Sequence, residues 1–285
     1  MSSVTKMVNV TTDSIIPERD VGKQPVLDIR NLGIDFGGLT AVDNFTLTIG
    51  KTEIAGLIGP NGAGKTTIFN LLTNVYQPTR GSILLQGVDT KGMSTAQVNR
   101  MGIARTFQNI RLFGGMSVID NVRVGLHNSI QCNFVQSLLH TPGYFKAEDK
   151  ATVRCMELLD FMDMADFAHV QAGSLPYGAQ RRLEIVRALA TNPAIILLDE
   201  PAAGMNPSET AELMEHIRRI RDEFQIAVML IEHDMNLVMG VCEGIAVVNY
   251  GKIIAKGTPE QICNNPVVIE AYLGKKGADK NAAEG

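Results

Sequence analysis

The sequence holds little for metal or redox chemistry. Its 285 residues include only four cysteines, Cys132, Cys155, Cys242 and Cys263, set far apart with no C-x-x-C pair and no histidine at metal-ligand spacing. They read as scattered thiols of a reducing compartment. No apolar run approaches the roughly 18 residues that span a bilayer, and the polar N-terminus contains no signal-peptide h-region. A cytosolic protein is expected unless a partner holds it elsewhere. Clustered positive charge is also missing: the net charge is −4, with lysine and arginine spread along the chain, so neither a nucleic-acid footprint nor charge-driven membrane binding is indicated. One local absence is more pointed. In SLPYGAQRR, residues 174–182, the amphipathic run QRRLEIVRAL begins with no Ser, Thr, Asp or Asn directly before Gln180 to cap it. Such a start is either an ordinary turn or an open helix N-terminus that awaits an anion.

What is present is a globular chain, 45% hydrophobic and long enough for a full core. From Val26 the pattern reads as strands, VLDIRNLGIDF, AVDNFTLTI and EIAGLIG, followed at once by a helix that begins KTTIFNLLT. Residues 90–175 read as mostly helical, with ELLDFMDM spaced for one buried face. Alternation then resumes with a helix over 180–191, the strand AIILLDE, a helix from about residue 207 to 224, the strand IAVMLIEH and the hairpin GIAVVNYGKIIAKG. Asn206-Pro207-Ser208-Glu209 supplies a cap, an N1 proline and an N3 acid, and Thr258-Pro259-Glu260-Gln261 repeats the device. Residues 1–25 and 275–285 are polar and unpatterned, and mobile ends are expected there.

GPNGAGKTT, comprising Gly59, Pro60, Asn61, Gly62, Ala63, Gly64, Lys65, Thr66 and Thr67, fits the phosphate-loop pattern between a strand and a helix. Its glycines let backbone N–H groups converge on phosphate oxygens, Lys65 adds a point charge, and the Thr66 hydroxyl is placed to ligate Mg²⁺. A second ligand should end a neighbouring buried strand. AIILLDEP offers Asp199 for the metal and Glu200 to polarise the attacking water. Taken alone, Glu200 could be a solvated strand-end carboxylate and His233, closing IAVMLIEH, a structural histidine.

In order, the phosphate loop, RTFQN, the glycine-bearing turn before QRRLEIVRAL, LLDEP and LIEHD resemble the ATPase subunit of ABC transporters. The resemblance implies an α/β fold: a P-loop NTPase core of ABC-ATPase type with an antiparallel β subdomain and a helical subdomain over about 109–180, all within residues 26–274. It implies ATP and Mg²⁺ as ligands. Gln108 becomes the glutamine that senses Mg²⁺ and the attacking water, His233 the switch histidine on the γ-phosphate, and Phe36 the aromatic that stacks on adenine. In that family the turn is the signature motif, usually LSGGQ, which faces ATP held by a different ATPase subunit. Leu175, Pro176, Tyr177, Gly178, Ala179 and Gln180 would then act on the partner's nucleotide. This chain departs from the pattern with Pro176 at the serine position and Ala179 at the glutamine position.

FGGLTAVDNF, GIARTFQNIRLF, YGAQRRLEIVRALA, LLDEPAAGMNP, LIEHDMNLVMG and GTPEQICNNPVVIEAYLG resemble more narrowly the LivG-type ATPase of branched-chain amino acid importers. Permease subunits, a second ATPase subunit in a heterodimer, indirectly a substrate-binding protein, and a place on the cytoplasmic face of the plasma membrane follow from that resemblance. Similar ATPases serve urea importers and a lipopolysaccharide exporter; the long segment 126–150 favours the amino acid type. A non-transport ABC ATPase of the DNA-repair kind would carry long heptads between Lys65 and Gly178, and none are sustained there. A regulator that does not hydrolyse would have lost Glu200 or His233. The segment 109–165 is expected to dock the membrane subunits.

Overall fold

The structure, a computed structural model, describes Ile15 and residues 25–128 and 142–273. Most of the expected N-terminal extension, residues 129–141 and the C-terminal tail lie outside the described residues.

Apolar residues that recur at alternate positions build the first sheet. β1 (Leu27–Phe36) pairs antiparallel with β2 (Leu39–Ile49), from Leu27 opposite Ile49 to Phe36 opposite Leu39. β4 (Arg80–Leu85) and β5 (Val88–Asp89) complete an antiparallel sheet of order β2-β1-β4-β5. The second sheet has order β10-β9-β3-β8-β7-β6 and is parallel except between β9 (Gly244–Asn249) and β10 (Lys252–Gly257). Its central strands β3 (Ile54–Ile58), β7 (Ile195–Asp199) and β8 (Ala227–Ile231) are buried at every residue. Continuous apolar runs of this kind suit a sheet covered on both faces.

The pleat sorts these strands between two cores. Ile54, Ile58, Ile196, Leu198, Val228 and Leu230 face a cluster with Val122, Leu158, Leu183 and Ile217. Ala55, Leu57, Ile195, Leu197 and Met229 face a cluster with Leu27, Phe45 and Phe69, which Ile15 also joins, fully buried. The first core is helical: α3 (Val118–Gly125), α4 (Pro142–Phe161), α5 (Tyr177–Leu189), α6 (Pro207–Phe224) and α7 (Met235–Val241) contribute to it. The second lies between the two sheets and takes α1 (Lys65–Leu72), with α2 (Thr95–Arg100) adding Val98.

Both expected caps form. Asn206 accepts from the N–H groups of Ser208 and Glu209 while Glu209 returns to Asn206, and Thr258 and Gln261 reciprocate in the same way ahead of α8 (Pro259–Cys263) and α9 (Pro266–Leu273). Such caps contribute about 1 kcal/mol each.

Two expectations need correction. The mostly helical reading of 90–175 hides β6 (Ile103–Arg105), too short to show a period, which exists because it pairs with Ile195–Leu197 of β7. The signature helix starts at Tyr177, three residues before Gln180. Pro176, at φ −54 and ψ 152, is its N-cap, and the Gln180 N–H already donates to the Pro176 carbonyl at 3.0 Å. The open donors therefore belong to Tyr177, Gly178 and Ala179. Among the described residues no helix is long and apolar enough to cross a membrane.

Candidate active site

Because β3, β7 and β8 are neighbours and parallel, the segments that follow them emerge at one sheet edge, where ligands of open α/β sheets bind. The phosphate loop follows β3. Gly64 sits at φ 103 as the N-cap of α1 without a side-chain cap, and a Cβ on it would stand 2.9 Å from the Ala41 carbonyl oxygen. Only glycine lets the loop enter the helix that close to β2, and the helix start stays open to an anion. Lys65, 6% exposed, folds over the loop, its Nζ donating to the carbonyls of Gly59 at 2.6 Å and Pro60 at 3.0 Å. Burial lowers its pKa, and the charges of Glu200 and Asp199 oppose that shift.

Residues 61–67 line a cleft of about 440 Å³ together with Gln108, Glu200 and His233, and with Leu39, Thr40, Ala41 and Tyr250. The structure thus brings together Asn61, Gly62, Ala63, Gly64, Lys65, Thr66, Thr67, Gln108, Glu200 and His233. Gly59 and Pro60 lie behind the loop as acceptors for Lys65. Glu200 is bracketed: Gln108 Nε2 donates to its Oε2 at 2.7 Å and His233 Nε2 lies 3.1 Å from its Oε1. Its backbone is left-handed, φ 47, and its N–H bonds to the Ile231 carbonyl at 2.9 Å. A strained turn that carries the water-polarising candidate fits a functional position.

Asp199 stands outside the cleft lining, 3% exposed. Arg105 Nη2 meets its Oδ2 at 2.7 Å while Nη1 donates to Asn70 Oδ1 at 2.7 Å, and the guanidinium lies over the rings of Phe69 and Phe107. The buried acid is therefore balanced within the chain. Phe36 is also outside the lining. Half-exposed, it meets Tyr76 edge-on at 5.2 Å, and only its strand partner Leu39 reaches the cleft. Leu175 to Gln180 lie elsewhere. There the Gln180 side chain donates to the Leu175 carbonyl at 2.8 Å, Gly178 and Ala179 are buried, and Tyr177 is exposed.

The two regions are connected. From α5, Arg181 donates to the carbonyls of Phe107, at 2.6 Å, and Gln108, while Glu184 accepts the Arg111 N–H at 2.7 Å. Burial raises the Glu184 pKa against the stabilising Arg111 N–H and the charges of Arg181 and Arg187. Glu232, 4% exposed, plays a similar part between β7 and β8: it accepts from the N–H groups of Ala202 at 2.7 Å, His233 at 2.9 Å and Asp234 at 3.2 Å. Sequence reasoning missed Arg105, Arg181, Glu184, Glu232, Tyr250 and the 39–41 wall. Arg105 and Glu232 stood within the quoted motifs, as charges directly beside apolar strand residues.

An anion-binding loop with its lysine, next to a carboxylate bracketed by a glutamine and a histidine, defines a P-loop nucleotide hydrolase. Two families match the chain: that described as ABC transporter over residues 42–203, and that described as Branched-chain amino acid ATP-binding cassette transporter over residues 252–278. Among similar proteins, the high-affinity branched-chain amino acid transport ATP-binding protein LivG of Escherichia coli (strain K12) is 50% identical over 252 residues, covering 88% of this chain and 99% of that protein. BraF of Pseudomonas aeruginosa, a protein of the same description, is 46% identical with the same coverage. A nucleotide-free ATP-binding cassette of an ABC transporter superposes with TM-score 0.76 at 29% identity, covering 88% of this chain and all of that one. A second cassette, in its ADP conformation, gives 0.76 at 28%, covering 88% of this chain and 99% of that one. The chain belongs to the ABC transporter ATP-binding proteins, among those of the LivG and BraF type. It binds ATP and hydrolyses it for transport.

Proposed function

We propose that the chain energises the import of branched-chain amino acids through permease subunits, paired with a second, different ATPase subunit on the cytoplasmic face of the membrane. The substrate assignment rests on the match of residues 252–278 to the branched-chain amino acid family, alongside the likeness to LivG. In this reading Lys65 and the N–H groups at the uncapped start of α1 cradle the phosphates, and Glu200 takes the proton of the attacking water. Gln108 and His233 hold that carboxylate until nucleotide enters. Thr66, Asp199 and the side-chain oxygen of Gln108 are hard oxygen donors of the kind Mg²⁺ prefers, and they would hold that ion, which supplies charge neutralisation beside the phosphates. Among the described residues no group of three or more His, Cys, Asp or Glu is placed to hold a metal ion by itself. Phe36 would meet the adenine from the edge of β1, and Leu175, Pro176, Tyr177, Gly178, Ala179 and Gln180 would face the ATP of the second subunit.

A groove of about 430 Å³ between Phe107, Arg111, Phe113, Val124, His127 and Arg187 is the surface we assign to the permease. It adjoins Gln108, so a permease segment seated there would feel the nucleotide through Arg181 and Glu184. Purification of the tagged chain from membranes, with mass spectrometry of bound proteins, tests the reading. Permease subunits and a second ATPase are the expected companions. Recovery of the chain as a homodimer without membrane proteins would contradict it.

A further inference from the structure

The two-residue turn between β9 and β10 is made of Tyr250 and Gly251, both with positive φ, 47° and 75°. Turns of this shape favour Asn, Asp or Gly at the first position, because a bulky L side chain is crowded in the left-handed region. Packing does not explain the tyrosine, which is 86% exposed. The turn itself is fixed in place. The Gly251 N–H donates to the Ala63 carbonyl of the phosphate loop at 2.8 Å, and the Gly251 carbonyl accepts from the Asp43 N–H of β2 at 3.0 Å. Clamped from both sides, the turn makes Tyr250 a lining residue of the nucleotide cleft, as are Leu39 and Ala41. Phe36, the aromatic the sequence pattern points to, is edge-on to Tyr76 and outside that lining.

We propose that Tyr250 is a nucleotide-binding residue whose ring packs against the nucleobase, with Leu39 forming the adjoining apolar wall. This rests on the assignment of the cleft to ATP. A strained, exposed aromatic held by the backbone of the phosphate loop is a fixed stacking surface, and such a surface is sequence-tolerant because every base offers a π-face.

Tyr250→Asn separates the ring from the turn, since Asn suits the left-handed position and should leave the fold intact or firmer. Calorimetric titration of the full-length chain with ADP and with inorganic tripolyphosphate, a probe without a base, reads the contact. Loss of one base-stacking contact should weaken ADP binding about tenfold in Tyr250→Asn. Tripolyphosphate should bind as to the wild type, and Tyr250→Phe should retain ADP affinity. Undiminished ADP binding by a folded Tyr250→Asn would overturn the proposal. An equal loss for ADP and tripolyphosphate would also overturn it, because the turn rather than the ring would then be responsible. A wild-type chain that bound neither probe would overturn the nucleotide assignment itself.

Discussion

His233 Nε2 and Glu200 Oε1 stand 3.1 Å apart across the ends of β8 and β7, while Gln108 Nε2 holds the other oxygen of the same carboxylate at 2.7 Å. Three elements remote in sequence therefore converge on one group.

The first prediction separates binding from chemistry. Glu200→Gln should bind ATP like the parent and lower turnover by about 10²- to 10⁴-fold, the usual effect of losing a positioned base. Lys65→Ala should instead weaken binding. Single-turnover hydrolysis beside equilibrium ATP binding distinguishes the two. Parental turnover by Glu200→Gln in the assembled complex would remove Glu200 from its assigned role.

The parts of this site that lie in one stretch of sequence were legible. The phosphate loop is a contiguous pattern, β3, β7 and β8 are unbroken apolar runs, and the caps at Asn206 and Thr258 involve neighbours three residues apart. What stayed hidden joins distant positions. Arg105 balances Asp199 from 94 residues away, and Glu232 reaches Ala202 from 30 away. β6 was hidden for another reason: its three residues become a strand only by pairing with β7. The start of α5 was hidden because no capping side chain marks it, and Pro176, whose fixed φ suits an N-cap, opens the helix three residues before Gln180.

Glu232 should act as a positioning residue for the Glu200 and His233 segments. Glu232→Ala leaves the buried N–H of Ala202 without its acceptor, at a cost of about 1–3 kcal/mol, and releases the part-buried N–H groups of His233 and Asp234. Hydrolysis should fall with little change in ATP affinity. Burial above all, and then the Glu200 charge, raises the Glu232 pKa from its ordinary 4.5, against the three backbone donors. A raised carboxylate pKa means the folded chain holds the proton more tightly than the unfolded one. Stability from this group therefore falls as pH rises from 4.5 through the folded value. In denaturant unfolding at several pH values, stability should fall less steeply with rising pH in Glu232→Gln than in the wild type, because Glu184, also raised by burial, still contributes. Identical slopes would refute the assignment.

The two nucleotide sites of the assembled transporter should be unequal. Pro176 has neither hydroxyl nor N–H, so in the proposed heterodimer one hydrogen bond to the facing phosphate, about 1.5–3 kcal/mol, would be missing from the site this chain would complete. Serine suits the extended backbone at that N-cap. Pro176→Ser should speed hydrolysis in the partner's site and leave turnover at Lys65 unchanged. Mutating the phosphate-loop lysine of one ATPase subunit at a time reads each site separately, and equal residual rates would count against the asymmetry.

Thiol chemistry should be confined to the surface. Burial pushes the Cys155 thiol up to about 11 and raises Cys242 further, whereas Cys263 is exposed. At pH 8 the Cys155 thiolate is only about one part in a thousand. Iodoacetamide on the native chain should label Cys263 and spare Cys155 and Cys242. Rapid labelling of Cys155 without unfolding would contradict its buried placement.

Transport itself is the most direct test. In proteoliposomes that contain the permease subunits, both ATPase subunits and the substrate-binding protein, leucine uptake should require ATP on the side of this chain. Replacing Glu200 by Gln here alone should abolish most of that uptake while ATP still binds. Leucine uptake that continued at the parental rate with Glu200→Gln, or that proceeded without this chain, would contradict the account.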